Sequence, residues 1–429
     1  MKKVLSIILV LALILATLAV FTGCEDKKTG NEDIAPVDGG ETNGGEETNG
    51  GEEGGEETGG DEDVFKIGFI FLHDENSTYD KNFMDAATAA KEALGLSDDQ
   101  VIFKANVPET AECYEAAADL VDAGCDIVFA DSFGHEDFMI QAAEEFPDVV
   151  FAHATGTKAH TEDLPNFFNA FASIYEGRFL AGVVAGLKLN EMIEEGKITA
   201  DEAKIGYVGA YPYAEVKSGY TSFFLGARYV CPSATMEVKF TNSWFDIAAE
   251  KETANALIAD GCVLMSQHAD SEGAPKACEE AGVPNVSYNL DTREWGPNTY
   301  LVSSKINWTP YFEHLVNCVK EGKPIEQDYC YGLAEGSVEL LGLNDAVVAA
   351  GTAEKVEEVK AQFLAGTLHV FDTDTFTVNG EKLESYLADV DSDEAFTPDT
   401  EVVSDGYFHE SEFRSAPYFD VDIDGITIK

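Results

Sequence analysis

The sequence has few basic residues for its length. Its 429 residues include 27 lysines and arginines against 80 aspartates and glutamates, which gives a formal net charge of −53. A chain this acidic repels the phosphates of nucleic acids and of anionic lipids. We therefore do not expect the folded part to bind either of them, and net charge says nothing specific about a ligand.

The sequence also lacks the cysteine pairs that mark redox and zinc sites. Seven cysteines follow Cys24, an odd number without a CxxC pair, and no metal-ligand spacing appears. Several lie in apolar segments such as ECYEAAADLV and GCVLMSQH, a context typical of buried free thiols. A disulfide between Cys318 and Cys330 remains an alternative if the protein is exported. We expect neither a metal nor a cofactor.

The N-terminus carries an export signal. Two lysines precede an apolar segment at residues 4–21, and a hydrophilic region follows at once. This order predicts a secretory signal over residues 1–24 rather than a retained membrane anchor. The Thr-Gly-Cys sequence at 22–24 also resembles the bacterial lipobox, although Phe21 stands where that motif usually has leucine. We expect lipidation of Cys24 and attachment to the cell membrane on its extracytoplasmic face.

Residues 25–63 form a low-complexity segment rich in glycine and glutamate, with repeats such as GGEETNGGEEGGEETGG. Glycine and like charge both oppose collapse, and almost no apolar residue is present to drive it. We predict a disordered acidic tether between the lipidated end and the folded body.

Beyond residue 64, short apolar runs alternate with amphipathic stretches. Strands are predicted near 101–106, 126–131, 148–153 and 166–170, and four further strand patterns follow in the second half of the chain. Such alternation is typical of parallel sheets with crossover helices. We predict an α/β fold of two doubly wound parallel-sheet lobes joined by a hinge. The expected boundaries place residues 64–171 and 292–327 in lobe 1, and residues 172–291 and 328–429 in lobe 2.

Polar and aromatic residues follow almost every predicted strand. In open α/β sheets, ligands bind at the carboxyl ends of the strands, so these side chains predict a small-molecule cleft between the lobes. Each of them singly has an alternative role as a helix cap or a turn former. The candidate ligand-binding residues are Asp74, Asn76, Ser77, Tyr79, Asp131, Phe133, Tyr211, Trp244, His268, Asp270 and Asp291.

Several longer stretches resemble a known family. They include IYEGRFLAGVVAG at 174–186, SGYTSFFLGARYVCP at 218–232 and the region from NSWFD at 242 to EEAGV at 283. With LVSSKINWTPYFEHLVNCVKEGK at 301–323 and APYFDVDIDGI at 416–426, they are similar to the basic membrane protein (BMP) family of solute-binding lipoproteins for ABC importers. The resemblance covers nearly all of residues 64–429. It implies a type I periplasmic-binding fold and, in the better-understood members, a purine nucleoside ligand.

The resemblance also implies roles for individual residues. Asp74 matches an acidic residue that contacts the base, and Asp291 matches one that binds ribose hydroxyls. His268 and Asp270 match a strand end of the second lobe that borders the ligand. The chain departs from many relatives at Ile306, where they have a ribose-contacting lysine.

These observations predict an extracytoplasmic solute-binding lipoprotein of an ABC importer, without enzymatic activity. It would capture a small molecule between two lobes and deliver it to permease and ATPase subunits, most simply as a monomer. Two alternatives stay open, a nucleoside-processing enzyme and a ligand-sensing receptor. A carboxylate-rich cleft would suit acid–base catalysis. However, no nucleophile with a partnered base and no phosphate-cradling glycine loop is visible in the sequence.

Overall fold

The computed structural model describes residues 64–390 and 397–429. The signal peptide, the acidic tether and Cys24 lie outside these residues, so the expectations about them remain predictions. Within the described part, no helix combines the length and the apolar character needed to cross a bilayer. The seven described cysteines are free thiols, six of them buried, and Cys318 and Cys330 do not form a disulfide.

The first lobe is built on a six-stranded parallel sheet. Apolar runs such as IGFI and IVFA form its central strands, which are buried on both faces because helices cover both. Its strands in chain order are β1 (Ile67–Ile70), β2 (Val101–Lys104), β3 (Ile127–Ala130), β4 (Val150–Ala154), β5 (Phe167–Ala172) and, much later in the chain, Asp328–Tyr331. The spatial order runs β2-β1-β3-β4-β5, with the strand Asp328–Tyr331 paired to β5.

Three helices connect these strands, α1 (Thr78–Leu94), α2 (Ala111–Asp122) and α3 (Glu136–Glu145). Helix α1 begins directly after β1 because Ser77 is extended and its hydroxyl accepts the N–H of Asp80, a capping arrangement. The chain order around β1 reverses between β2 and β3, and this reversal is where doubly wound sheets open a crevice for ligands.

The second lobe repeats this plan with a larger sheet. Its first part consists of α4 (Ile174–Glu194), β6 (Lys204–Gly209), α5 (Ala214–Val230), β7 (Thr235–Phe240), α6 (Ile247–Ala259), β8 (Leu264–Gln267), α7 (Gly273–Ala281), β9 (Asn285–Tyr288) and β10 (Tyr300–Ile306). The order β7-β6-β8-β9-β10 matches that of the first lobe, so a second crevice opens beside β6.

The last part of the chain completes both lobes. Helix α8 (Thr309–Glu321) packs on α1, and β11 (Asp328–Tyr331) joins the first sheet. Strand β12 (Val338–Leu341) pairs antiparallel with β10, and α9 (Thr352–Leu364) packs on α4. Four two-residue strands follow, β13 (Leu387–Ala388), β14 (Thr400–Glu401), β15 (Val403–Ser404) and β16 (Tyr407–Phe408), and then β17 (Ile426–Ile428) extends the second sheet beside β7.

Two of the three predicted lobe boundaries differ from this arrangement. The first crossover lies between β5 and α4. The second lies after β10, near residue 307 rather than 291, because β10 pairs with β9 in the second sheet. The third lies between β11 and β12 rather than at 327, because β11 pairs with β5. No helix lies between β9 and β10. Because the sequence shows no helical pattern after β9, the second boundary was predicted directly after that strand, which is too early.

Helices α4 and α5 cross at unusually short distance beneath the second sheet. A methyl group built on Gly182 would lie 2.0 Å from the carbonyl oxygen of Phe223, and one built on Gly226 would lie 2.0 Å from the carbonyl oxygen of Phe179. Glycine at both positions therefore permits backbone-to-backbone contact. This contact places the N-terminal ends of both helices next to the ligand-facing edge of the sheet.

Candidate functional site

A small cavity lies between the two crevices, where strand ends of both lobes meet. Lobe 1 contributes residues that follow β1, β3 and β4, and lobe 2 contributes residues that follow β6, β7 and β8. The lining residues are Leu72, His73, Tyr79, Asp80, Ser132, Phe133, Thr155, Glu215, Trp244, His268 and Asp270. The site therefore combines aromatic rings, carboxylates and imidazoles, and it contains neither lysine nor arginine in its lining.

The lobe 1 wall is fixed by the first turn of α1. The Tyr79 hydroxyl donates to the carbonyl oxygen of Asp131 at 2.7 Å, which holds the ring against the cavity. Asp80 accepts the N–H of His73 at 2.7 Å and the hydroxyl of Ser77 at 2.5 Å. Burial opposes ionisation of Asp80, but the hydrogen bonds from His73 and Ser77 outweigh it and lower its pKa. Asp80 is thus a buried carboxylate.

Asp131 lies directly behind this wall. It is fully buried, its Oδ1 accepts the N–H of Leu72 at 3.1 Å, and its Oδ2 has no partner among the described residues. Burial raises the pKa of Asp131 well above its usual value, and the neighbouring Asp80 carboxylate raises it further. The pKa values of these neighbouring carboxyl groups are therefore shifted in opposite directions, that of Asp131 upwards and that of Asp80 downwards.

Aromatic rings of lobe 2 form the opposite wall. Trp244 lies on the loop after β7, and the ring of Tyr211 packs edge-on against it with the centroids 5.0 Å apart. Tyr211 in turn stacks on Tyr213 at 5.2 Å. Tyr213 also contacts Phe133 of lobe 1, with ring centroids 5.5 Å apart. This aromatic row crosses from one lobe to the other along one side of the cavity.

A histidine and a glutamate complete the lobe 2 side. Nε2 of His268 lies 3.3 Å from Oε1 of Glu215, which is in the first turn of α5. Burial lowers the pKa of His268, and its hydrogen bond with Glu215 opposes this shift only partly. Behind His268, the buried Arg178 donates to the carbonyl oxygen of Gln267 at 3.0 Å, and its guanidinium lies over the ring of Tyr288. Arg178 supplies a positive charge behind the lining.

Asp270 connects the two walls. Its carbonyl oxygen accepts the N–H of Thr78, the first residue of α1, at 2.8 Å across the cleft. Its side chain lines the cavity, and its Oδ1 has no partner among the described residues. Burial raises the pKa of Asp270 well above its usual value, and the charges of Glu250, Asp80 and Glu215 add to this effect.

Not all of the eleven predicted residues lie at this cavity. Five of them line it, Tyr79, Phe133, Trp244, His268 and Asp270. Three others support the lining without being part of it: Ser77 binds Asp80, Asp131 holds Tyr79, and Tyr211 packs on Trp244.

Asp74, Asn76 and Asp291 lie elsewhere. The Asp74 carboxylate accepts the N–H and the side-chain amide of Asn76 at 3.1 and 2.8 Å, so it closes its own turn. Asp291 accepts the N–H of Arg293 and lies 3.1 Å from its guanidinium, on the rim of a separate open groove that Asn76 also lines. Local hydrogen bonds thus keep both carboxylates away from the cavity.

Sequence reasoning missed Asp80 and Glu215 as lining residues. Both lie in the first turn of a helix rather than directly after a strand, Asp80 in α1 and Glu215 in α5. In a doubly wound sheet the helix N-termini face the same edge as the strand ends, so these first turns could have been searched as well. Arg178 was also missed, because it lies inside a long apolar helix.

Comparisons with known proteins place this chain in a family. The family model described as ABC transporter substrate-binding protein PnrA-like (Bmp) matches residues 70–367, which include the whole cavity lining. The chain belongs to this family. It is therefore a substrate-binding protein of an ABC transporter, as the sequence resemblance predicted.

Individual relatives agree on this class but differ in their named ligands. A purine-binding protein of Brucella abortus is 32% identical over 313 residues, which cover 72% of this chain and 84% of the relative. A putative ABC transporter glucose-binding protein of Haloferax volcanii is 30% identical over 327 residues, 76% of this chain and 75% of the relative. A solved ABC transporter solute-binding protein of Aeropyrum pernix K1 shares the fold, with a TM-score of 0.60, 17% identity and coverage of 72% and 93%.

Proposed function

We propose that this substrate-binding protein captures a purine nucleoside, or a near relative with a flat heteroaromatic ring and hydroxyl groups, between its two lobes. It then presents the closed form to a permease, which takes up the ligand at the expense of a partner ATPase. The observation that carries the proposal is that aromatic rings from both lobes line one cavity together with buried carboxylates.

The aromatic lining supports a flat ligand. Tyr79 and Phe133 come from lobe 1 and Trp244 from lobe 2, so a planar ring between the lobes would contact π-faces or edges from both sides.

The charge of the lining supports a ligand rich in hydrogen-bond donors. Asp80, Glu215 and Asp270 line the cavity, and no lysine or arginine lines it to balance them. Hydroxyl groups and ring N–H groups donate to carboxylates, and these charge-assisted bonds are the stronger kind. A phosphate would instead meet three carboxylates, so the free nucleoside fits better than the nucleotide.

The N-terminal sequence supports a lipid-anchored protein on the extracytoplasmic face. The expected export signal ends at Cys24, and the acidic segment 25–63 would let a monomeric body reach the permease. Replacing Cys24 by Ser should release the protein from membranes into the soluble fraction of cells. Unchanged membrane retention of the Cys24→Ser protein would favour an uncleaved anchor instead.

Equilibrium binding with a defined panel tests the ligand. Adenosine, guanosine, inosine, AMP and glucose are titrated into the protein, and the heat of binding is measured. We expect micromolar or tighter binding of at least one nucleoside, and weaker binding of AMP because of its phosphate. Tight binding of glucose with no response to any nucleoside would reject the nucleoside proposal and leave the transport role intact.

A further inference from the structure

Asp270 takes part both in the contact between the two lobes and in the lining of the cavity. It lies on the loop between β8 and α7 in lobe 2, and only 4% of its surface is exposed. Its main chain bonds to lobe 1 through the N–H of Thr78 at 2.8 Å, while its side chain faces the cavity. One residue thus takes part in both closure of the lobes and lining of the site.

The carboxyl group of Asp270 is poorly satisfied in the closed form. Its buried Oδ1 accepts no hydrogen bond from any described residue. The charged groups around it come from four helices: Asp80 on α1, Arg178 on α4, Glu215 on α5 and Glu250 on α6. Three of these four are carboxylates, so the surroundings oppose a negative charge on Asp270 more than they favour it.

Closure of the lobes therefore has an unfavourable component when no ligand is present. In an open cleft, water can hydrate the Asp270 carboxyl group. In the closed cleft, the group loses that water without gaining a protein donor, and the carboxylates of Asp80, Glu215 and Glu250 repel its negative charge. A ligand that donates an N–H or O–H group to Oδ1 would remove this cost.

We propose that Asp270 couples ligand binding to lobe closure: its unpaired carboxyl group opposes closure of the unliganded cleft, and a hydrogen-bond donor on the ligand relieves this opposition. This inference rests on the proposed function for the choice of probe, but not for the effect on the unliganded protein. It makes Asp270 the residue through which the site selects a donor-bearing ligand, such as the hydroxyl or ring N–H of a nucleoside.

The amide of Thr78 reports closure directly. As the first residue of α1 it has no intrahelical acceptor for its N–H, so its protection from exchange depends on the bond to Asp270 of the other lobe. Hydrogen exchange read at single-residue resolution by mass spectrometry measures this protection in the full chain. The main-chain bond does not involve the side chain, so Asp270→Asn leaves the reporter in place.

The experiment compares the wild type, Asp270→Asn and Glu75→Gln, each with and without saturating adenosine. Glu75 is an exposed carboxylate on the rim of the neighbouring groove, so Glu75→Gln removes the same charge without touching the cavity. We expect Thr78 to exchange roughly tenfold more slowly in unliganded Asp270→Asn than in the wild type, because the neutral amide removes the charge that the surrounding carboxylates repel. Glu75→Gln should behave like the wild type.

Adenosine should slow exchange at Thr78 strongly in the wild type and little further in Asp270→Asn, whose affinity should fall. The inference is overturned if unliganded Asp270→Asn exchanges at Thr78 as fast as the wild type, or if it binds adenosine with unchanged affinity. If the wild type binds no nucleoside, the proposed ligand fails. In that case, the exchange rates of the unliganded proteins still test whether Asp270 opposes closure. Slower exchange at Thr78 in Asp270→Asn than in the wild type supports this role.

Discussion

Buried acidic residues set the chemistry of this molecule at the residue scale. In the first lobe, hydrogen bonds lower the pKa of Asp80, whereas burial and the neighbouring Asp80 carboxylate raise the pKa of Asp131. In the second, Glu250 is fully buried and accepts the N–H groups of Asp246 and Ser271 at 3.2 and 3.1 Å. The pKa values of these groups depend on burial, hydrogen bonds and neighbouring charges, and not on the net charge of the chain.

Glu410 illustrates how such a group affects stability. Its two carboxylate oxygens accept the N–H groups of Tyr418 and Phe419 at 2.7 and 2.8 Å, and it is 4% exposed. Burial raises its pKa from 4.5 to about 7 despite these bonds. The folded state therefore holds the proton more tightly than the unfolded state. Stability from this group is complete below pH 4.5 and is lost as the pH rises towards 7.

Replacing Glu410 by Gln should remove this pH dependence. The quantity of interest is the unfolding free energy of Glu410→Gln minus that of the wild type. We expect this difference to rise by roughly 2 kcal/mol in favour of the variant from pH 5 to pH 8, whatever its value at pH 5. Urea denaturation at several pH values measures the difference. Glu354→Gln, a change at an exposed carboxyl group of α9, is the control and should show no such trend. Parallel pH profiles for wild type and Glu410→Gln would show that Glu410 does not titrate in this range.

The crossing of α4 and α5 governs packing at the scale of elements. Backbone contact at Gly182 and Gly226 brings the two helices together, and the first turn of α5 carries Glu215 into the cavity lining. Residues from both helices form a large part of the buried apolar core of the second lobe. A change in the distance between these helices should therefore affect stability and site geometry together.

Replacing Gly226 by Ala tests this packing. The added methyl group would lie 2.0 Å from a backbone oxygen, so the helices must separate. We expect a loss of about 1–3 kcal/mol in unfolding free energy, the usual range for overpacking, with a lower melting temperature. Gly342→Ala is a matched control, because the nearest atom to its added methyl lies 3.6 Å away. Equal melting temperatures for the two variants would contradict the close contact.

The elements themselves could be predicted well from the sequence, and the reasons are physical. Strands such as β1 and β3 are continuous apolar runs, and α1 begins at a serine cap, so local patterns were sufficient. The sheet to which β10 and β11 belong could not be predicted in the same way. Strand pairing over long sequence distances depends on tertiary contacts, and no local signal distinguishes one parallel sheet from the other.

Dependence on tertiary structure also explains why only some of the candidate site residues line the cavity. The candidate residues were chosen by their position after a strand, and five of them line the cavity. That position could not show that Asp74 closes its own turn with Asn76 or that Asp291 pairs with Arg293. Side-chain hydrogen bonds over two residues depend on rotamers, which a residue's place after a strand does not reveal.

The two lobes act together at the scale of the whole molecule. They contact each other across the cleft through the Thr78–Asp270 hydrogen bond and through the rings of Phe133 and Tyr213. Three crossovers connect them, so opening is a hinge motion about those segments. The family model matches residues from both lobes, including all those that line the cavity between them.

Calorimetric titration of the best nucleoside into the wild type, Tyr79→Ala and Trp244→Ala tests the central claim that the ligand binds between the lobes. Tyr79 belongs to lobe 1 and Trp244 to lobe 2, and both line the cavity. We predict one site per chain and a loss of affinity of roughly tenfold or more in each variant, because each removes an aromatic contact from one side of the ligand. Asp291→Asn, on the separate groove, should bind like the wild type. Unchanged affinity in either aromatic variant, or loss of binding in Asp291→Asn alone, would contradict this account.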